Sequence, residues 1–286
     1  MSAASPAQAP GLSPATAIPP KASGWRSLSR WQAFTIHFVL SLLIFATLVA
    51  LMVMWWFPGE LFLLDGGWQG LKLVAVVDLV LGPALTLILW SPKKPSLGFD
   101  MCFVAAFQIA ALTYGFITTY DQRTVAMVMA ENTFVSLSNA DLEEANGILL
   151  QKDITPVPLS EFTPGNPVLV LTPPPEMYSF GQYLEDVMNG FPEARERNDQ
   201  YIDIADGRED MKKSALDRSA LESLGWLDSV QREVEAKGFD ESNLEFYKFA
   251  ARYAKGVAMF DTTSMKIVDY LPLKNKPTLS VESLVD

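Results

Sequence analysis

Asp78 has the clearest chemical consequence of any residue in this chain of 286, because it sits in a run, 71–90, that is otherwise apolar except for Lys72 and Thr86. An ionisable group in such a run is costly, and by default it has a functional or packing partner. One turn later come Gly82 and Pro83. The missing N–H and the ring clash loosen a helix there and free carbonyls that neighbours must satisfy. Polar residues in the two flanking apolar runs fall at matched depths. Counting about 1.5 Å per residue from the positively flanked ends, Asp78 lies about 20 Å in, near Tyr114 at about 22 Å and Thr47 at about 24 Å. His37 matches Thr86 at about 9 Å, and Ser41 matches Gln108 at about 15 Å. Such pairs can register helices through hydrogen bonds of about 0.6 kcal/mol each. Alternatively, Asp78 with the Gly82-Pro83 kink forms a docking groove for another transmembrane segment.

Most other chemistry is excluded. An intramembrane carboxylate dyad needs two acids at one depth, and the other acid nearby, Asp100, falls at a boundary. The single histidine, His37, and the single cysteine, Cys102, both stand in apolar runs, so the remainder of the chain has neither imidazole nor thiol. Ser-His-Asp, Cys-His and zinc sites and disulfides are thereby excluded from it. Its acids, including Glu143, Glu144, Asp203, Asp206, Glu209 and Asp210, occur where a solvated surface explains them. No glycine-rich phosphate loop or metal-ligand spacing occurs. The expectation is a protein without catalytic residues, bound metal or cofactor.

The elements that position these residues follow from hydropathy and charge. No Asp, Glu, Lys or Arg occurs in 31–57, and with 71–90 and 99–120 it makes three runs of spanning length. Trp25, Trp31, Trp55, Trp56, Trp68 and Trp90 sit at or just outside their ends, where an amphipathic indole favours the interface. Residues 1–24, with five prolines and almost no large apolar side chain, read as a disordered tail. Lys21, Arg26 and Arg30 precede the first run and Lys93 and Lys94 fill the second turn, whereas the first turn holds Glu60 and Asp65. The positive flanks belong in the cytoplasm, which places everything after residue 120 outside, in the periplasm of a bacterium.

Six of the 22 Lys and Arg, and four of the 33 Asp and Glu, precede Asp121. The membrane part therefore carries +2 and residues 121–286 carry −13. That negative balance argues against nucleic acid, whose binding requires clustered positive charge, and favours a cationic or polar protein partner. Residues 121–286 read as an α+β domain. A strand or bent hairpin is expected over 125–136, a short helix capped by Asn139, and a strand over 168–171. Helices follow over 180–189, 212–224, 227–237 and 242–253, then a hairpin of 256–260 and 265–270 about Asp261-Thr262-Thr263-Ser264. Helices on one face of a sheet would use all of these. The predicted fold is thus three N-terminal transmembrane α-helices followed by a soluble α+β domain.

The order Arg30-Trp31-x-Ala33-Phe34-x-x-His37, then Phe57-Pro58-Gly59, then Asp78-x-x-x-Gly82-Pro83-x-x-Thr86 resembles the TfpX/TfpZ family of type IV pilin accessory proteins. Pro92-Lys93-Lys94, Phe99-Asp100, Gln108 and Tyr114-Gly115 extend the resemblance through residues 26–123. Many members have proline after the arginine beyond the third helix, where this chain has Thr124 after Arg123, and the long N-terminal tail is additional. The resemblance implies an inner-membrane accessory factor that supports assembly or surface display of a matching type IV major pilin. In that reading the bilayer and the pilin are its partners, and Asp78, Gly82, Pro83, Thr86, His37, Gln108 and Tyr114 meet the pilin helix or pack the bundle. A membrane-anchored enzyme that modifies or processes pilin and a periplasmic ligand sensor are the alternatives.

Overall fold

A computed structural model of the chain describes residues 24–57, 59–173 and 180–273. The tail expected over 1–24 lies outside these residues up to position 23. Three helices are long and apolar enough to cross a membrane: Arg30–Trp56, Gly67–Leu89 and Leu97–Asp121. The first is α1 (Arg30–Leu51) continued by a π-helical turn, Met52–Trp56. Ser29 caps it, its hydroxyl accepting from Gln32 N while the Gln32 side chain accepts from Ser29 N. A short helix, α2 (Leu61–Leu64), follows in the connection. The second span starts four residues before the apolar run does and is composite: α3 (Gly67–Ala75), a π-helical segment Val76–Leu81, and α4 (Gly82–Leu89). The loosening expected at Pro83 takes this form, with Gly82 N donating to Val77 O, five residues back. The third span is α5 (Leu97–Asp121).

The soluble part is a seven-stranded mixed sheet of β1 (Thr124–Ala130), β2 (Thr133–Ser138), β3 (Val168–Leu171), β4 (Ile202–Asp203), β5 (Leu244–Ala250), β6 (Lys255–Asp261) and β7 (Lys266–Pro272). Their order across the sheet is β4-β3-β1-β2-β5-β6-β7. The strands β3 and β5 join their neighbours β1 and β2 in parallel; the other pairs are antiparallel. The period-2 pattern separates the two faces. Ala126, Val128 and Val170 pack with α6 (Asn139–Gln151), while Phe246, Val257 and Met259 pack under α9 (Arg218–Ser223) and α10 (Leu227–Lys237). Met127, Met129, Leu169, Leu171, Tyr247 and Phe260 point to the other face. There they meet Met211 of α8 (Arg208–Lys212) and, from the connection between the first two spans, Leu61 and Leu64. The sheet is therefore covered on both faces, not one.

Three local expectations are corrected. The segment 242–253, expected as a helix, has strand β5 (Leu244–Ala250) as its centre, because its aromatic residues Phe246, Tyr247 and Phe249 are buried on the two faces between β2 and β6. The single helix expected over 212–224 is not formed: α8 ends at Lys212 and α9 begins only at Arg218. Leu216 N donates to Phe246 O and turns the chain onto β5, and Asp217 then caps α9 by accepting from Ala220 N. The cap of α6 is Ser138, not Asn139, its hydroxyl accepting from Asp141 N. One further helix, α7 (Phe180–Met188), lies where the sequence places it.

Candidate functional site

The second span is the floor of the membrane bundle. Helix α1 packs on α4, and α5 packs on α3 and α4, but α1 and α5 scarcely touch over their length. Between them a cleft of about 470 Å³ is lined by His37, Ser41, Asp78, Thr86, Gln108 and apolar side chains including Ala33 and Ile44. It continues into a second space of about 460 Å³ that shares Ile44 and Leu112 and reaches Leu51 and Phe116. At the end nearer the soluble domain Trp56 closes onto α5, edge-on to Phe116 and Tyr120. At the opposite end Trp90 Nε1 donates to Leu28 O, and Ala33, Trp90 and Leu97 form a buried cluster. The rim is apolar and open, with Ile36, Leu40 and Ile109 exposed at 55, 56 and 65%.

Five expected polar residues thus converge on one cleft. His37 Nδ1 and Thr86 Oγ1 share a hydrogen bond of 2.6 Å, joining the first and second spans at the depth where they match. Asp78 is 4% exposed, and no hydrogen bond among the described residues reaches its carboxyl. Gly82 and Pro83 are buried packing positions outside the cleft lining. A Cβ at Gly82 would stand 1.9 Å from Gln108 Nε2, so the glycine is what lets the Gln108 amide reach over the second span. Tyr114 is 70% exposed and borders a separate small groove with Asp78, Val74 and Gly115. Thr47 bonds back to Leu43 O. The match of Asp78 with Thr47 and Tyr114 therefore gives no hydrogen bond, because depth says nothing about rotation around a helix axis.

A second constellation, which the sequence reading missed, joins the membrane bundle to the soluble domain. Asp65, 5% exposed, accepts from Thr124 Oγ1, from Ser136 Oγ at 2.8 Å and from Arg252 N at 2.8 Å. Beside it Tyr253 N donates to Leu64 O, and Gly66, at φ 96°, leaves room for the Tyr253 ring, which a Cβ would meet at 2.4 Å. Lys237 bridges Glu60 at 3.3 Å and the buried Asp269 at 2.8 Å. The hydrogen bond from Lys237 to Asp269 leads the causes that raise its pKa. Burial first, then Asp65, pushes the Tyr270 phenol up. Thr124, where the resemblance leads one to expect proline, supplies a hydroxyl that proline lacks.

Comparison with known proteins gives matches of one kind. A fimbrial assembly protein of serogroups C1 and C2 from Dichelobacter nodosus is 32% identical over 109 residues, which are 37% of this chain and 83% of that relative. Fimbrial assembly proteins of serogroups I and E1 from the same organism are 32 and 30% identical over 109 residues, 37% of this chain but only 42% of their own length. No protein-family model and no solved structure matches the chain.

Proposed function

The chain belongs to the family of fimbrial assembly proteins, and from that premise we propose that it is a chaperone-like accessory factor of type IV pilus biogenesis in the bacterial inner membrane. It binds its cognate major pilin before assembly and does no covalent chemistry. The observation that carries this reading is the cleft between α1 and α5, a full-depth apolar recess with a polar floor at Asp78, His37 and Thr86. A pilin awaiting assembly is a single hydrophobic helix bearing an extramembrane head. The spans hold that helix, and the acidic domain, fixed over the bundle through Asp65, contacts the head in the periplasm.

The test is deletion of the gene with complementation, scoring surface pili and membrane pilin at normal levels of the core assembly proteins. Loss of pili restored by this gene alone is the expected outcome, and unchanged pili overturn the proposal. If Asp78→Ala and Asp78→Asn both leave pilus number unchanged at normal protein level, the Asp78 carboxyl has no part in it.

A further inference from the structure

We infer that the helix occupying the cleft carries a hydrogen-bond-donating side chain, a hydroxyl, amide or amine, at the depth of Asp78; this rests on the reading that the cleft holds a pilin helix. Three observations select such an occupant. The two spaces run from Ala33 to Leu51 along α1, which is about 27 Å at 1.5 Å per residue and close to the roughly 30 Å of a bilayer's apolar layer. A recess of that length suits a spanning helix better than a small lipophile. Its rim is apolar and exposed, as a surface facing another helix must be. Its floor, however, holds Asp78, a residue 4% exposed whose carboxyl lines the cleft and receives no hydrogen bond from the described residues.

Within the cleft His37 Nδ1 is tied to Thr86, the Gln108 amide lies over Gly82, and neither they nor Ser41 is hydrogen-bonded to the Asp78 carboxyl among the described residues. A buried carboxyl without a donor is costly away from water. An acyl chain entering the cleft would cover Asp78 without satisfying it, whereas a helix with a donor would do both. Asp78 therefore sets register: it favours one vertical position and one rotation of the incoming helix, as single buried polar residues do in helix pairs.

The experiment uses the full-length protein in cells that make the major pilin, with a photoreactive benzophenone residue in place of Ile44 or Ala105, both lining the cleft, or of Val39, outside it. After illumination, pilin crosslinking is expected from the two cleft positions and not from Val39. Asp78→Leu, similar in size and readily accommodated by a membrane helix, should lower the yield at least fivefold, while Asp78→Asn, which keeps an acceptor oxygen, should retain most of it. In the complementary arm, which leaves this chain intact, alanine replaces each donor-bearing residue of the pilin helix in turn, and one of these changes should reproduce the fivefold loss. Equal pilin crosslinking in Asp78→Leu, or no effect of any pilin substitution, overturns the register inference while leaving pilin binding in place. Crosslinks to phospholipid alone from both cleft positions overturn inference and pilin binding together.

Discussion

At the scale of single residues, Asp65 and Asp78 are two buried carboxylates in opposite situations. Asp65 has three donors, and the turn that carries it is fixed to the soluble domain as a result. Asp65→Ala leaves two hydroxyls and one backbone N–H without their acceptor, at about 1–3 kcal/mol for each group that water does not reach. A clear drop in the unfolding midpoint of the detergent-solubilised chain is expected, larger than for Glu60→Ala, whose ion pair with Lys237 is partly exposed; equal drops would deny Asp65 its anchoring role. Asp203 offers a pH-dependent counterpart. Burial acts to raise its pKa, but hydrogen bonds from Ala205 N, Thr163 N and Thr163 Oγ1 outweigh it and hold the carboxyl below its ordinary value. A lowered folded pKa contributes stability that is present above the unfolded value of about 3.9 and lost as pH falls through the folded one. The difference in midpoint between the wild type and Asp203→Asn should accordingly be widest near neutrality and close in strong acid; a gap independent of pH would contradict this.

Among elements, two of the tightly packed glycines behave differently according to what faces them. At Gly256 in β6 a Cβ would stand 2.0 Å from Leu271 O and 2.7 Å from Leu273 N, both backbone atoms of the neighbouring strand and its exit. Those cannot swing aside, so Gly256→Ala should cost about 1–3 kcal/mol as overpacking does and speed hydrogen exchange selectively in β6 and β7. At Gly82 the opposing atom is the end of the Gln108 side chain. Gly82→Ala is therefore expected to leave protein level near normal while displacing the amide from the cleft. Proteolytic and thermal stability close to wild type would agree with this, and loss of the folded bundle would show that the Gln108 side chain cannot move.

For the molecule as a whole, the contact between the first connection and the soluble domain constrains topology. Leu61, Leu64 and Asp65 are built into the face of the sheet, so the turn after the first span and everything after the third lie on one side of the bilayer. The positive residues Lys93 and Lys94 are in the other turn, which the positive-inside rule assigns to the cytoplasm. In a Cys102→Ser background, Ser264→Cys should react with an impermeant thiol reagent in cells whose outer membrane is permeabilised, and Lys94→Cys should not. The reverse labelling pattern would place the acidic domain in the cytoplasm and remove any contact with a periplasmic pilin head.

Sequence by itself determined the elements whose signal is local. Three apolar runs announce membrane helices because a helix crossing the bilayer needs about 20 predominantly apolar residues, and the strands of the two hairpins and β3 are legible in their β-branched and alternating residues. It put His37 and Thr86 at one depth, since depth along a span follows from residue count. The tertiary structure decided what depends on rotation and distance. It turned Tyr114 away from the cleft, made 244–250 a strand because that segment lies between two others, and brought Asp65 to Thr124, Ser136 and Arg252, residues 59, 71 and 187 positions away. No pattern local to Asp65 distinguishes it from a solvated loop acid, because a carboxylate's partners are set by how the chain packs and not by its neighbours in sequence.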